Sequence, residues 1–473
     1  MITGARTWPR LCGVDLEVPL ADGTTRRYVN LDCAASTPAL DAVVSAVNQA
    51  LPWYSSVHRG AGHLSQVSTR LYESARQAVG DFVGARPDDS VVFVRNTTDA
   101  INHLAACLRV PSGSTVLTTE IEHHANMLPW RRLGSVEHLP PPRSAAALLE
   151  SMDAALRAAA GRVAVVAVTG ASNVTGEVMP VGAMAQLAHR HGAIISVDAA
   201  QLAPHRTIDM ATMDVDCLAF SGHKMYAPFG AGALVVRTAL VADAEPLLAG
   251  GGAVDFVTVD DVLWTGMPDR LEAGSPNVIG AIALGVAATT LSAAGMERIA
   301  GHERELLARA DRGLAGLRGV NRLRLWDHPD VDRLGVVTFT VDGMHHALVA
   351  AALSAEHAIG VRHGCFCAHP YITQLLGIDA VAADSVRISL RRGERAGIPG
   401  AVRASFSIGT TEHDIDVLIG ALDELITHGP RLAYRQDEHT GDFLPLGDAR
   451  TWPRFDGLPP LETAGHTAGC GQF

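Results

Sequence analysis

The sequence predicts an α/β protein, with a mostly parallel sheet covered by helices and a smaller α+β domain behind it. Three observations predict this. Short β-rich apolar stretches alternate with segments of helical period, the pattern of a sheet covered on both faces. The chain has 473 residues, more than one ordinary domain of roughly 100–200 residues needs. After about residue 290 the alternation gives way to a charged helical segment and a cysteine-bearing loop.

The candidate strands are Val91 to Arg95, Thr115 to Thr118, Val163 to Val168, Ala193 to Val197, Cys217 to Phe220 and Gly232 to Val236. Helices are expected at Leu64 to Val83, with Leu64, Val67, Leu71, Ala75 and Ala78 on one face, and at Val181 to His191. The second part reads as a helix (Glu297 to Leu317), a strand (Gly335 to Val341), a helix (His346 to Glu356) and the cysteine loop. RRGERAGIPG, from Arg391 to Gly400, reads as a solvated loop. The domain boundaries expected are 1–30 for an N-terminal segment packing with the small domain, 31–290 for the large domain, 291–430 for the small domain, and 431–473 for a tail that wraps the surface or is disordered. ARTWPR occurs twice, at Ala5 to Arg10 and Ala449 to Arg454, with no physical account.

Composition narrows the partners. A hydrophobic fraction of 48% and a charged fraction of 19% lie near globular averages, so disorder is not the default. The formal net charge of -12 argues against nucleic acid or an anionic membrane surface, which require a basic face. Small molecules remain. Seven cysteines, odd in number and scattered, do not read as a disulfide framework and fit a reducing, cytoplasmic compartment. MITGARTWPRL has no apolar run and is not a secretory signal. Asn277 to Met296 carries no charge and is long enough to span a bilayer, but its small residues, internal Thr and Ser, and lack of aromatic or basic anchors favour a buried core helix.

The chemistry concentrates in ISVDAAQ (Ile195 to Gln201) and FSGHKMYAP (Phe220 to Pro228), each following an apolar strand. Ligand sites of α/β sheets form at strand carboxyl ends, so Asp198 and Lys224 are expected in one crevice. A carboxylate beside an amine suits pyridoxal phosphate: the lysine forms the imine and the carboxylate keeps the pyridine nitrogen protonated. Taken singly, Lys224 is a surface lysine and Asp198 a helix N-cap. In FVRNTTDAINHLAACL, Thr97 and Thr98 stand where a strand turns into a helix with Ile101, Leu104, Ala105 and Leu108 on its core face, a start that favours a phosphate. A plain threonine N-cap is the alternative. His123, in EHHANMLPW, lies flat on a cofactor ring or is a buried structural histidine.

LDCAASTP, SVHRGAGHLSQVSTRLYESAR, NTTDAIN, EHHANMLPW, SNVTGEVMPV, VDAAQLAPH, FSGHKMYAPFGAG, EAGSPN, VRHGCFCAHP and VRASFSIGTTEHDID, in that order from about residue 30 to 425, resemble the class V aminotransferase family. The likeness is closest to its SUF-type cysteine desulfurase and selenocysteine lyase branch. That resemblance implies fold type I, pyridoxal 5'-phosphate, and a homodimeric active site acting on L-cysteine or a related C–S or C–Se bond, with a sulfur-acceptor protein as a further partner. It places Lys224 on the cofactor, Asp198 at the pyridine nitrogen, Gln201 at the ring hydroxyl, and His123 on the ring. Thr98, Ser221 and His223 would hold the phosphate, and Ser275 would add a contact from the partner subunit. Asn173 and Arg403 would bind the substrate carboxylate, with His58 and Arg362 lining the same pocket.

Cys367 falls on the branch's nucleophile, with Arg362, His363 and His369 as neighbours that favour the thiolate. Where the branch commonly has Gly-His-His-Cys, this chain has Gly364, Cys365, Phe366 and Cys367, and Asn96 stands where a glycine usually precedes the threonine pair. A metal held by HGCFCAH and an inert buried thiol are the other readings of the loop. For the whole chain, the rivals to cysteine desulfuration are a C–S lyase or epimerase that forms no persulfide, and a silent scaffold or sulfur-transfer partner. Gly469-Cys470-Gly471 could present a relay thiol, against the alternative of a disordered end.

Overall fold

A computed structural model describes residues 8–58, 60–328 and 331–461. Its main sheet has seven strands, in spatial order Asp89–Val94, Gly232–Arg237, Cys217–Ser221, Ile194–Asp198, Val163–Thr169, Thr115–Thr119 and Ser135–Leu139. Gly232–Arg237 alone runs antiparallel to its neighbours; the remaining pairs are parallel. The sixfold apolar pattern predicts every strand but Ser135–Leu139. That edge strand is half exposed and polar, so hydrophobicity does not announce it.

Register brings the chemistry to one edge. Thr169 pairs with Asp198, Asp198 with Ala219, and Ser221 with Gly232, so the carboxyl ends of three strands open on the same side. Helix Thr97–Cys107 starts at that edge because Gly232 admits it: a Cβ there would lie 2.8 Å from Asn96 Cα and 2.6 Å from the Phe220 carbonyl oxygen. Ile101, Leu104, Ala105 and Leu108 are all buried beneath it, as expected.

Helix His63–Phe82 is where predicted, but its buried face is Ser65, Ser68, Tyr72, Ala75 and Val79, while Leu64 is exposed. Alanine stands at position 75 because helix Val278–Ala294 packs so close that a Cβ on Gly285 would lie 2.7 Å from Ala75 Cα, while buried Ser68 donates to the Trp53 carbonyl at 3.1 Å. This uncharged helix is core. No single helix among the described residues is long and apolar enough to cross a membrane, and the apolar pair Val278–Ala294 and Met296–Gly316 is bent by 77°.

The second sheet, Val320–Leu323, Val336–Val341, Ala401–Ser405 and Arg362–Gly364 in spatial order, is antiparallel throughout. Helices Met296–Gly316, His346–His357 and Glu412–His428 bury Leu306, Leu314, Leu353, Leu418 and Leu422 with its Val337 and Phe339. Val29–Asn30 pairs with Ile359–Gly360, which ties the N-terminal segment to this second core. Arg362 lies opposite Arg403 across adjacent strands.

One reading needs correction. The stretch 391–400 is not a solvated loop throughout: it follows an unpredicted helix, Ala380–Arg391, and from Arg395 on is mostly half buried, with the Arg395 N–H donating to the Glu438 carbonyl at 3.1 Å. The described part of the tail forms a hairpin of Tyr434–Gln436 and Phe443–Pro445 whose Tyr434 hydroxyl donates to Glu356 at 2.8 Å, in keeping with a tail that wraps the surface. Of the repeated ARTWPR, Trp8 packs 5.0 Å from the His302 ring, whereas Trp452 is exposed. Cys470 and its flanking glycines lie outside the described residues.

Candidate active site

A cavity of about 210 Å³ opens at the carboxyl edge of the main sheet, and it gathers Thr97, Thr98, His123, Asn173, Asp198, Gln201, Ser221, His223, Lys224, Arg362, Cys367 and Arg403. Only His58 and Ser275 of the predicted set lie elsewhere. His58 is held away by helix His63–Phe82: its backbone N–H donates to Thr69 at 2.8 Å and its Nε2 sits 2.9 Å from Glu73. With Ser275 it lines a separate cavity of about 640 Å³. The expectation that His58 shares the substrate pocket is therefore corrected within one chain.

Asp198 ends its strand buried, with one oxygen accepting the Ala200 N–H at 2.9 Å. Burial raises its pKa, and the Lys224 charge opposes the rise. Burial pushes Lys224 down to about 8 while Asp198 pulls it up. An amine near that value sheds its proton readily, as imine formation requires. Gln201 Nε2 donates to the Ala34 carbonyl at 2.8 Å, but its buried Oε1 meets no partner among the described residues. A buried acceptor without a donor calls for a hydroxyl-bearing guest.

The threonine pair is not the helix cap. Asn96 is, accepting the Asp99 N–H at 3.0 Å. Neither threonine hydroxyl is needed for the cap: Thr97 Oγ1 bonds Ser221 Oγ at 2.7 Å, and exposed Thr98 in the first turn lines the cavity. His123 caps a short turn, its Nδ1 accepting the Ala125 N–H at 3.0 Å, and burial lowers its pKa to about 3, so the ring is neutral with its proton on Nε2. Burial likewise lowers His223 to about 4.

Sequence reasoning missed the residues that aim these. Glu122, fully buried, takes bonds from Thr119 at 2.6 Å and Asn126 at 2.7 Å and so fixes the His123 turn; burial raises it to about 8. Asp32 accepts from Arg403 Nη2 at 3.3 Å and lies 3.6 Å from Arg362 Nη1, drawing both guanidiniums together. Both residues lie inside blocks that carry the family resemblance, which was the available signal.

The cysteine loop is strained. Phe366 and Cys367 both have left-handed backbone, φ 53° and 55°, a conformation costing roughly 1–3 kcal/mol per non-glycine residue. It is held there by bonds from Asn173 Nδ2 to the Phe366 carbonyl and from the His124 N–H to the Cys367 carbonyl, both 2.8 Å, and by Arg403 stacked 4.9 Å over the buried Phe366 ring. The two turns send the thiols apart: Cys367 lines the cavity of Lys224, whereas Cys365 lines another. Of the three expected neighbours of Cys367, only Arg362 shares its cavity; His363 and His369 line the other. Among the described residues no group of three or more His, Cys, Asp or Glu is placed to hold a metal.

The family model for class-V aminotransferases matches residues 29–418. The chain belongs to that family. Among relatives of this class-V aminotransferase, a probable cysteine desulfurase of Halalkalibacterium halodurans is 35% identical over 405 residues, covering 84% of this chain and 92% of its own. One from Halobacterium salinarum is 34% identical over 418 residues, covering 86% and 94%. The apo structure of a cysteine desulfurase from Thermococcus onnurineus NA1 superposes with a TM-score of 0.75 at 32% identity, covering 88% of this chain and 98% of that one. The S-sulfonic acid form of the Escherichia coli cysteine desulfurase CsdA gives 0.72 at 31%, covering 84% and 94%.

Proposed function

We propose that this class-V aminotransferase is a pyridoxal-phosphate-dependent cysteine desulfurase, taking sulfur from L-cysteine onto Cys367 and leaving L-alanine. The observation that carries the reading is that Cys367 shares one cavity with Lys224, Asp198 and Arg403, the groups for cofactor and carboxylate. The named relatives support it. The residues fit the cofactor: orphaned Gln201 Oε1 suits its ring hydroxyl, Asp198 its pyridine nitrogen, and Thr98, Ser221 and His223 its phosphate. Bound there, pyridoxal phosphate supplies an electron sink for negative charge at the substrate's α-carbon.

The chain's own groups do the rest. Arg403 binds the substrate carboxylate, held in place by its Nη1 bond to the Asn173 carbonyl at 2.8 Å. Lys224, once its amine is free, takes the α-proton. Cys367 Sγ attacks the substrate sulfur: the S–S bond forms, the Cβ–S bond breaks, and the electron pair left on carbon takes a proton. Sulfur stays as a persulfide for an acceptor. Incubation with L-cysteine is expected to give alanine and protein persulfide; pyruvate with ammonia would replace this reading by the C–S lyase.

The proposal includes a homodimer. His58 and Ser275 line a cavity away from Lys224, and the nearby segments expose Leu51, Trp53, Tyr54, Phe256, Val257 and Leu263 to solvent. Apolar surface of that kind marks an interface, across which these two side chains would complete the neighbouring site. Sedimentation is expected to give a dimer, and Leu263→Asp to shift it toward monomer with loss of activity. A fully active monomer would contradict the shared site.

A further inference from the structure

Behind the cysteine loop lies a second cavity of about 300 Å³, walled by His345, His346, Cys365, Arg391, Arg395 and Asp442 among others. It is built largely from parts outside the matching blocks: helix Ala380–Arg391, the stretch that follows it, and the tail hairpin's turn. Two buried nitrogens in its lining, His345 Nε2 and Arg395 Nη1, meet no partner among the described residues.

Both are donors. An arginine nitrogen can only donate. His345 Nδ1 accepts the Ala347 N–H at 3.2 Å, and burial lowers the ring's pKa, so its proton sits on Nε2. The Ile398 carbonyl accepts from His346 Nε2 at 2.9 Å and also lends the His345 ring some support, short of a formed bond to its Nε2. Leaving two buried donors unmade is costly, so the cavity is short of an acceptor. Charge points the same way: Arg391 and Arg395 line it, with Arg387 paired to Asp384 at 3.0 Å, against the carboxylate of Asp442, which lies 3.5 Å from His363, in a chain whose net charge is -12. Leu390 and Ile398 supply apolar walls. The volume stands at the low end of the roughly 300–1,000 Å³ typical of small-molecule sites.

We propose that this cavity binds a small oxyanion carrying two negative charges, a phosphate or a dicarboxylate, with Arg395 Nη1 and His345 Nε2 as its donors. The guest would sit against Gly364 and Cys365, while Cys367 of the same loop lines the cavity of Lys224. Room there is tight, since a Cβ on Gly400 would lie 2.7 Å from Gly364 Cα. The proposal does not depend on the sulfur chemistry.

Calorimetric titration of the holoenzyme, whose cofactor occupies its own phosphate site, tests this with inorganic phosphate and with succinate separately. Binding of either at one site per chain is expected, and which one binds identifies the source of the charge. Arg395→Gln and His345→Phe are each expected to weaken it by about tenfold or more, as for a lost hydrogen bond to a charged group. Arg391→Gln, on an exposed side chain, serves where either variant fails to fold and is expected to weaken binding by about threefold. No binding of either probe, or binding unchanged in the folded variants, overturns the assignment.

Discussion

Cys367→Ser is expected to bind pyridoxal phosphate and fold as the wild type does while losing sulfur transfer from cysteine by on the order of 10³-fold or more. Serine keeps the size of the side chain and its place in the loop, but oxygen does not take up the substrate's sulfur. The lesion therefore falls on the chemical step. Cys365→Ser is expected to retain most of the activity, because Cys365, 6% exposed, faces the cavity of His345 and His346 and not that of Lys224. Its cost is one buried thiol exchanged for a hydroxyl, about 1 kcal/mol of stability. Measuring alanine and persulfide in both variants, with metal content in the wild type, decides between readings. Full activity in Cys367→Ser would end the persulfide mechanism, and equal loss in both with stoichiometric zinc would restore the metal reading of HGCFCAH.

Lys224→Ala is expected to remove the yellow colour of the loaded enzyme and to lower turnover by roughly 10²–10⁴-fold, the range for losing a positioned acid–base group. No other lysine lines the cavity. In the wild type, loading of the apoprotein is expected to quicken as pH rises toward about 8 and to level off above it. The sign follows from the amine: burial lowers its pKa to about 8, protonated lysine is inert toward an aldehyde, and raising pH through that value frees it. Stopped-flow absorbance of cofactor uptake measures this. A rate indifferent to pH, or a coloured Lys224→Ala protein, would show that the cofactor is held by another group.

Much of the site was legible because its residues sit at strand ends, where a short apolar run followed by ISVDAAQ or FSGHKMYAP marks both the strand and the edge it opens on. Residues that aim others were not. Glu122 and Asp32 act through bonds to Asn126, Arg403 and Arg362, and nothing in local periodicity distinguishes a carboxylate so engaged from a solvated one. The face of helix His63–Phe82 differs from its hydrophobic pattern for a related reason: Leu64 obeys that pattern, yet close approach of Gly285 selects alanine at 75, and the 53–56 segment buries Ser65 and Ser68.

By itself the sequence determined the parallel α/β class and the lysine–carboxylate pair, because strand periodicity and side-chain chemistry are local properties, while the candidate nucleophile Cys367 came from the family resemblance. Tertiary structure decided where each side chain faces. Cys365 and Cys367 are two residues apart, and the left-handed backbone at Phe366 and Cys367 sends one thiol to each of two cavities. His58 belongs to the same family block as its neighbours, but Thr69 and Glu73 hold it beside Ser275 and away from Lys224. The 391–400 stretch reads as loop from its glycines and prolines, and becomes a cavity wall only because the tail hairpin folds over it. Such outcomes rest on contacts between segments far apart in the chain, which no window of sequence contains.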